Sequence, residues 1–278
     1  MTAPQQSPFP PAGAFRPELD RRIGVFHRLG FQTLLQREMR RLWRMAAMVV
    51  VAPAVMAMIY FACFLFGLGP QRGTPEGDAV LTFLVPGLIM LSVVLRSAEN
   101  TGFSLLFAKI EGMLVDQLMA PVGAREVVLA YALGGVVAGV VSGLAVWLGS
   151  LVLWPLPVAH PLAALGFATA GALMMALAGL LTGIASTKWD HMSAWFTFLF
   201  VPVSFLSGLF APISGMPPAW QAVVQANPIF HAIDGFRWAM LGSSHQDPGR
   251  SALIVLGVCA LLYALAARLY SIGWKMKA

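Results

Sequence analysis

Six long apolar runs dominate this chain. They extend over residues 46–68, 79–108, 127–153, 161–186, 193–211 and 251–270. Because an α-helix rises about 1.5 Å per residue, each run can cross a hydrocarbon core of about 30 Å, the fifth only narrowly. Only 11% of the 278 residues are charged, whereas 58% are hydrophobic, which leaves few ionised groups to cover a water-exposed surface. The sequence therefore predicts an all-α polytopic membrane protein with six transmembrane helices over residues 46–278.

Two segments precede these runs. Residues 1–21 are rich in Pro, Gln and Ser and lack periodicity, which is typical of a disordered tail. Within residues 22–45, apolar side chains recur at steps of three and four, so they share one helical face. The remaining surface carries Arg37, Glu38, Arg40, Arg41 and Arg44. A basic amphipathic helix of this kind lies among lipid headgroups, either as a simple anchor or as a moving part.

The positive residues predict the orientation. A cytoplasmic N-terminus puts the arginine-rich segment before residue 45 inside, together with Lys109, Arg125, Lys188 and the positive residues from Arg268 onward. Only three arginines then lie outside. Since positive residues favour the cytoplasmic side, both termini are predicted to be cytoplasmic. The same distribution argues against a nucleic-acid partner, because the net charge of +6 is spread over helix ends.

The sequence lacks the usual signatures of membrane enzymes. It contains no phosphate-binding loop, no H-E-x-x-H, no Cys-x-x-Cys and no acidic cluster that would hold magnesium and a diphosphate. We therefore predict no catalytic residues, no metal site and no cofactor on this chain.

Two charged pairs share the spacing i, i+3 in apolar surroundings. Arg96 and Glu99 lie in the second run, where they either line a polar path or simply pair near the cytoplasmic interface. Asp234 and Arg237 lie in segment 212–250, which is too apolar for a free loop and is predicted to form short re-entrant helices at the outer side. For this second pair we predict a structural ion pair.

The connection at 109–121 has helical periodicity outside the membrane. Ile110, Leu114 and Leu118 are spaced by four, and Pro121 ends the segment. Such a short amphipathic helix is either an ordinary surface helix or one that docks into a groove of a soluble partner.

Five stretches together resemble one family. They are Phe-Leu-Val-Pro-Gly-Leu at 83–88, Gln-Leu-Met-Ala-Pro-Val at 117–122, Ser-Gly-Leu-Phe-Ala-Pro at 207–212, Met-Pro-Pro-Ala-Trp at 216–220 and Asn-Pro-Ile-Phe-His-Ala-Ile-Asp-Gly-Phe-Arg at 227–237. In order and placement they are similar to the type-2 ATP-binding-cassette exporter permeases, within the bacterial branch that includes nodulation-factor and drug exporter permeases.

The resemblance implies an assembly and a set of roles. The chain would pair with a second copy of itself and with two ATPase subunits, which carry the ATP and magnesium, in the bacterial inner membrane. The helix at 22–45 would be the gate helix. Contacts with the ATPase would come from Glu111, Leu114, Asp116, Gln117, Leu118 and Pro121, with Lys188 and Asp190 as a smaller second contact.

The resemblance also implies export of a lipid-like, glycan or amphiphilic substrate by alternating access. We place Arg96, Glu99, Phe205 and Phe210 on the expected substrate path. The Arg96/Glu99 pair departs from the family's expected pattern, and on the path it would suit a substrate with a charged or zwitterionic part. The alternative is a gradient-driven secondary transporter with Glu99 as proton carrier. Such transporters often carry inverted repeats, and the sequence shows no clear one.

Overall fold

A computed structural model of the chain describes residues 28–67, 69, 73–119, 122–210 and 212–275, except for the side chains of residues 115, 116 and 118. The predicted tail at 1–21, the first six residues of the 22–45 segment and Pro121 lie outside the described residues.

Every regular element within the described residues is helical, which confirms the predicted all-α class. In the described part of the chain, five helices are long and apolar enough to span a membrane: α2 (Ala47–Gly67), α3 (Pro75–Ile110), α5 (Ala124–Leu153), α6 (Pro161–Ala185) and α11 (Pro248–Ser271). The other helices are α1 (Arg28–Arg44), α4 (Met113–Met119), α7 (Trp189–Trp195), α8 (Val201–Phe205), α9 (Pro218–Ala226) and α10 (Pro228–Leu241).

The run predicted at 193–211 forms a composite helix. A π-helical turn, Phe196–Phe200, joins α7 directly to α8, so the helical path covers about 25 Å before it ends at Phe205. The chain then turns through Gly208, whose positive φ of 66° suits a residue without a Cβ atom. This composite helix corresponds to the fifth predicted crossing and is not among the five helices long enough to span a membrane, so the count of six stays a prediction.

Helix α3 forms the centre of the bundle. In its most apolar window 67% of the residues are buried, against 22% in α2 and 17% in α11, whose surfaces face outward. It packs mainly against α5 and α6. The glycines of those two helices allow the close approach: a Cβ added at Gly183 would lie 2.8 Å from the carbonyl oxygen of Gly102, and one at Gly139 would lie 2.6 Å from that of Val93.

The two ends of the bundle are fixed by polar contacts. At the end that is predicted to be cytoplasmic, Lys109 Nζ donates to the carbonyls of Gly183 and Ile184 at 2.9 and 2.6 Å, which suits a cation at the C-terminus of α6. At the opposite end, which is predicted to be the outer one, Asn227 Nδ2 donates to the carbonyl of Val203 at 2.7 Å. The backbone N–H of His160 donates to Ala239 at 2.8 Å. These bonds attach α9 and α10 to the outer ends of α8 and α6.

Candidate functional site

A cavity of about 340 Å³ lies between α2, the inner part of α3 and the α7–α8 segment. Its lining is mainly apolar and includes Tyr60, Leu88, Ser92, Leu95, Phe196, Val201 and Phe205. Arg96 and Glu99 stand on its α3 wall, with Arg96 Nη1 2.8 Å from Glu99 Oε2. The two residues therefore pair with each other and also line a cavity, and their place on a substrate path stays a prediction.

Two π-helical turns border this cavity. Ala47–Val51 begins α2, and Phe196–Phe200 joins α7 to α8. In each case a proline, Pro53 or Pro202, lies four residues after the central residue of the turn. A proline lacks the N–H that would bond four residues back, and its ring clashes with the carbonyl there. The wider π turn accommodates that clash, so the same local cause operates on both sides of the cavity.

Aromatic rings lie at the outer end of the cavity. Phe205 lines the wall, and its ring centroid lies 5.1 Å from that of Phe210. Phe210 in turn stacks on Phe64 of α2 at 5.7 Å. Phe205 and Phe210, predicted from the sequence as path residues, thus meet in one cluster.

Glu38 forms a buried ionic centre where α1 meets α3. Its Oε1 lies 3.2 Å from Arg37 Nη2, and its Oε2 lies 3.1 Å from Arg41 Nη2. Ser104 of α3 donates to Oε2 at 2.8 Å. A buried carboxylate is tolerated when its charge is paired and its oxygens accept hydrogen bonds, and both conditions hold here.

Tyr131 connects this centre to α4. Arg37 Nη2 donates to the Tyr131 hydroxyl at 2.7 Å, and that hydroxyl donates to Gln117 Oε1 at 3.0 Å. Burial lowers the pKa of Arg37, but Tyr131 and Glu38 outweigh it and hold that pKa above its usual value. A continuous chain of hydrogen bonds therefore runs from α1 through α5 to α4.

Sequence reasoning missed Tyr131 and Ser104. A signal for the second exists, because Ser97, Asn100 and Ser104 recur at steps of three and four and place a polar stripe on α3. Asn100 accepts from Arg41 at 2.9 Å through its side-chain oxygen. Tyr131 carries no such signal, since its partners come from helices distant in the sequence.

The exposed surface of α4 differs from the predicted one. Leu114 and Gln117 are buried against the bundle, so they hold α4 in place, whereas the family resemblance predicts that they contact a partner. Glu111 and Met113 are exposed, and Met119 is 79% exposed. The side chains of Asp116 and Leu118 lie outside the described part of the chain, as does Pro121. Lys188 and Asp190 are exposed at the start of α7.

Asp234 and Arg237 form no direct ion pair within 4 Å, which corrects the predicted pairing. Asp234 accepts from the backbone N–H groups of His245 and Gln246 at 3.1 and 3.0 Å. The guanidinium of Arg237 lies 3.6 Å from the centroid of the Phe83 ring and donates to the Gly208 carbonyl at 3.3 Å. Asp234 and Arg237 are therefore each held by a different part of the chain, and the predicted ion pair is wrong.

The polar groups of the site form hydrogen bonds and ion pairs between helices. Across the described residues, no group of three His, Cys, Asp or Glu side chains is placed to hold a metal ion. Hydrogen bonds through Tyr131 connect α4 to α1, and the bond from Ser104 to Glu38 connects α1 to α3. Helix α3 in turn carries Arg96 and Glu99 on the wall of the cavity.

Comparison with known proteins gives a consistent result. The profile of the family described as ABC-2 type transporter matches residues 30–241. The chain is 31% identical over 214 residues to the inner membrane transport permease YadH of Escherichia coli K12, covering 77% of this chain and 84% of that protein. It is 29% identical over 219 residues to nodulation protein J of Rhizobium leguminosarum bv. trifolii, covering 74% and 79%.

Proposed function

The chain belongs to the ABC-2 type transporter family, and we propose that this permease subunit of an ABC transporter is an exporter. It is a multi-pass inner membrane protein, like the relative named as an inner membrane transport permease. The proposed cargo is a lipid-like, glycan or amphiphilic substrate, moved out of the cytoplasm or the inner leaflet by alternating access.

One observation carries the proposed mechanism: the hydrogen-bonded chain Gln117–Tyr131–Arg37 joins α4 to α1. Helix α4 lies between α3 and α5 in the chain, so a force applied to its exposed face reaches both. We propose that an ATPase on a separate polypeptide, with its ATP and magnesium, binds α4 and the exposed Lys188 and Asp190. Closure of that ATPase would shift α4 and α1 together and bias the bundle between inward- and outward-open states.

The cavity supports an amphiphilic cargo. Its volume of about 340 Å³ falls in the range of ligand sites, and its lining is apolar apart from a few polar groups and one ion pair. An ion pair on an apolar wall suits a molecule with an apolar body and a charged or zwitterionic part. Met56 and Phe205 line the cavity and are exposed, which supports a second copy of the chain closing the open side.

The test is a mild-detergent affinity purification from the native membrane, followed by mass determination and an ATPase assay. We expect a separate ATPase to copurify in equal amount. Met119→Arg should release it, because the substitution puts a charge on the exposed face of α4. Leu29→Arg is the matched control, since Leu29 is 61% exposed but lies at the start of α1.

The opposite result has a clear meaning. A chain that purifies without any nucleotide-hydrolysing partner would overturn the proposal and favour the gradient-driven transporter. Proton-coupled uptake or efflux that is lost in Glu99→Gln would then support Glu99 as the proton carrier.

A further inference from the structure

A second cavity, of about 420 Å³, lies at the cytoplasmic side between α1, the end of α3 and the start of α4. It is separate from the cavity that contains Arg96 and Glu99. Its polar lining consists of Thr33, Gln36, Arg37, Glu38, Arg40, Arg41, Arg44 and Ser104, and Phe107, Ala108 and Met113 complete the wall.

The charge of this cavity is not balanced. Four arginines face one carboxylate, and Glu38 already pairs with Arg37 and Arg41. Arg40 and Arg44 are exposed, and neither forms an ion pair within 4 Å in the described part of the chain. Among the described residues, the two positive charges at the mouth therefore have no ion-pair partner.

Buried donors lie next to these charges. The Nε atom of Arg41 and the Nδ2 atom of Asn100 are buried and have no hydrogen-bond partner in the described residues. Because both atoms are buried, the exposed guanidinium groups of Arg40 and Arg44 are the donors that an anion in this cavity can contact. A phosphate group supplies both a negative charge and several acceptor oxygens.

The surface next to the cavity is apolar. Trp43 lies between Arg40 and Arg44 in the sequence and is exposed. It also lines an apolar groove of about 300 Å³ on the opposite flank of α1, where Met39, Leu42 and Val137 contribute to the wall. A basic cavity beside an aromatic side chain and an apolar groove matches a lipid, which has an anionic head and apolar tails.

We propose that this cavity binds the phosphate headgroup of an anionic phospholipid of the inner leaflet, with Arg40 and Arg44 as its main contacts. An acyl chain of the same lipid would pass Trp43 toward the apolar groove. Because Arg37 and Arg41 line the cavity and also hold Glu38, the lipid would stabilise α1 against α3. The proposal does not depend on the direction or cargo of transport.

The experiment is native mass spectrometry of the full chain, with any ATPase partner that copurifies, after exchange into phosphatidylglycerol or phosphatidylcholine. The wild-type chain should retain phosphatidylglycerol and lose phosphatidylcholine. Each arginine near an anionic headgroup contributes about fivefold in affinity, so R40Q/R44Q should bind phosphatidylglycerol about 25-fold more weakly. R40K/R44K keeps the charges and should retain most of the binding.

The matched control is R28Q/R268Q, which removes the same number of positive charges from exposed positions outside the cavity. It should change lipid binding by less than about twofold. Equal retention of the two lipids, or an equal loss in the control, would overturn the proposal. Full displacement of the lipid by inorganic phosphate would identify a free-phosphate site and reject the lipid. Release of the ATPase by R40Q/R44Q with the lipid still bound would instead indicate an acidic partner surface.

Discussion

Two charged pairs with the same spacing behave in opposite ways in this protein. Arg96 and Glu99 pair directly at 2.8 Å on a cavity wall, where their side chains are 18% and 37% exposed. Asp234 and Arg237 are almost wholly buried, at 0% and 3% exposure, and form no direct ion pair. Each of these buried charges instead contacts a backbone segment or an aromatic ring of another element.

This difference shows that the i, i+3 spacing of two charged residues does not by itself decide whether they form an ion pair. A separation of three residues on a helix brings two side chains to one face. In a buried location the cost of desolvation is high, so each charge must be satisfied by several fixed groups. On a cavity wall the pair is partly solvated, and either member can exchange its partner for a ligand at low cost. We therefore expect substitutions of Asp234 and Arg237 to change the free energy of unfolding, and substitutions of Arg96 and Glu99 to change transport.

The largest effect is expected from Asp234→Ala. The substitution leaves the N–H groups of His245 and Gln246 without an acceptor and removes the nearest carboxylate from buried Arg237. Each buried donor left without an acceptor costs about 1–3 kcal/mol in the free energy of unfolding, and buried Arg237 also loses the favourable charge of Asp234. Thermal unfolding in detergent and the amount of protein in the membrane measure this effect. Asp247→Ala, which removes only the N-cap of α11, should cost about 1 kcal/mol, and equal losses in the two variants would contradict the comparison.

The next largest effect on stability is expected from Arg237→Lys, which should destabilise the protein more than Arg96→Lys does. Lysine cannot keep the planar stacking of Arg237 over Phe83, and a desolvated cation–π contact is worth about 2 kcal/mol. The Arg96–Glu99 pair is partly exposed, so its replacement by a Lys–Glu pair should cost less than about 1 kcal/mol. Thermal melting curves of the two variants, measured in parallel, test this prediction. A larger loss of stability in Arg96→Lys than in Arg237→Lys would show that the Arg96–Glu99 pair is the structural one.

The smallest effect on stability is expected from Glu99→Gln and Arg96→Gln, alone and together. Each single change leaves one unpaired charge on the cavity wall, whereas the double change restores neutrality, so the coupling free energy should be about 1 kcal/mol or less. Transport should respond more strongly, measured as ATPase stimulation by zwitterionic and uncharged amphiphiles. Stimulation that is identical in the wild type and the double variant would remove Arg96 and Glu99 from the substrate path.

Much of the architecture could be predicted from local sequence properties. Hydropathy and length located α2, α3, α5, α6 and α11 to within a few residues, and the period of apolar side chains indicated α1 and α4. These properties depend only on residues that are neighbours in the chain. The composite helix through α7 and α8 was harder, because it ends at Phe205, several residues before the apolar run ends, and the chain then turns through Gly208.

The partners of the polar groups needed the tertiary structure. The same period that indicated α4 suggested an outward-facing Leu114, yet that side chain is buried because α4 folds back onto the bundle. Likewise the spacing of Asp234 and Arg237 predicted an ion pair between them. In the structure Asp234 instead accepts from the backbone N–H of His245, and Arg237 stacks on the ring of Phe83.

The sequence by itself determined that this chain crosses a membrane as helices, with a basic amphipathic segment before them and a short helix between two crossings. Only the tertiary structure decided which charges meet, that Tyr131 links Arg37 to Gln117, and that Arg96 and Glu99 face a cavity. The physical reason is one of range. The transfer of apolar side chains into lipid and the helical period act residue by residue, whereas a buried polar group takes whichever partner the packing of distant helices brings within about 3 Å.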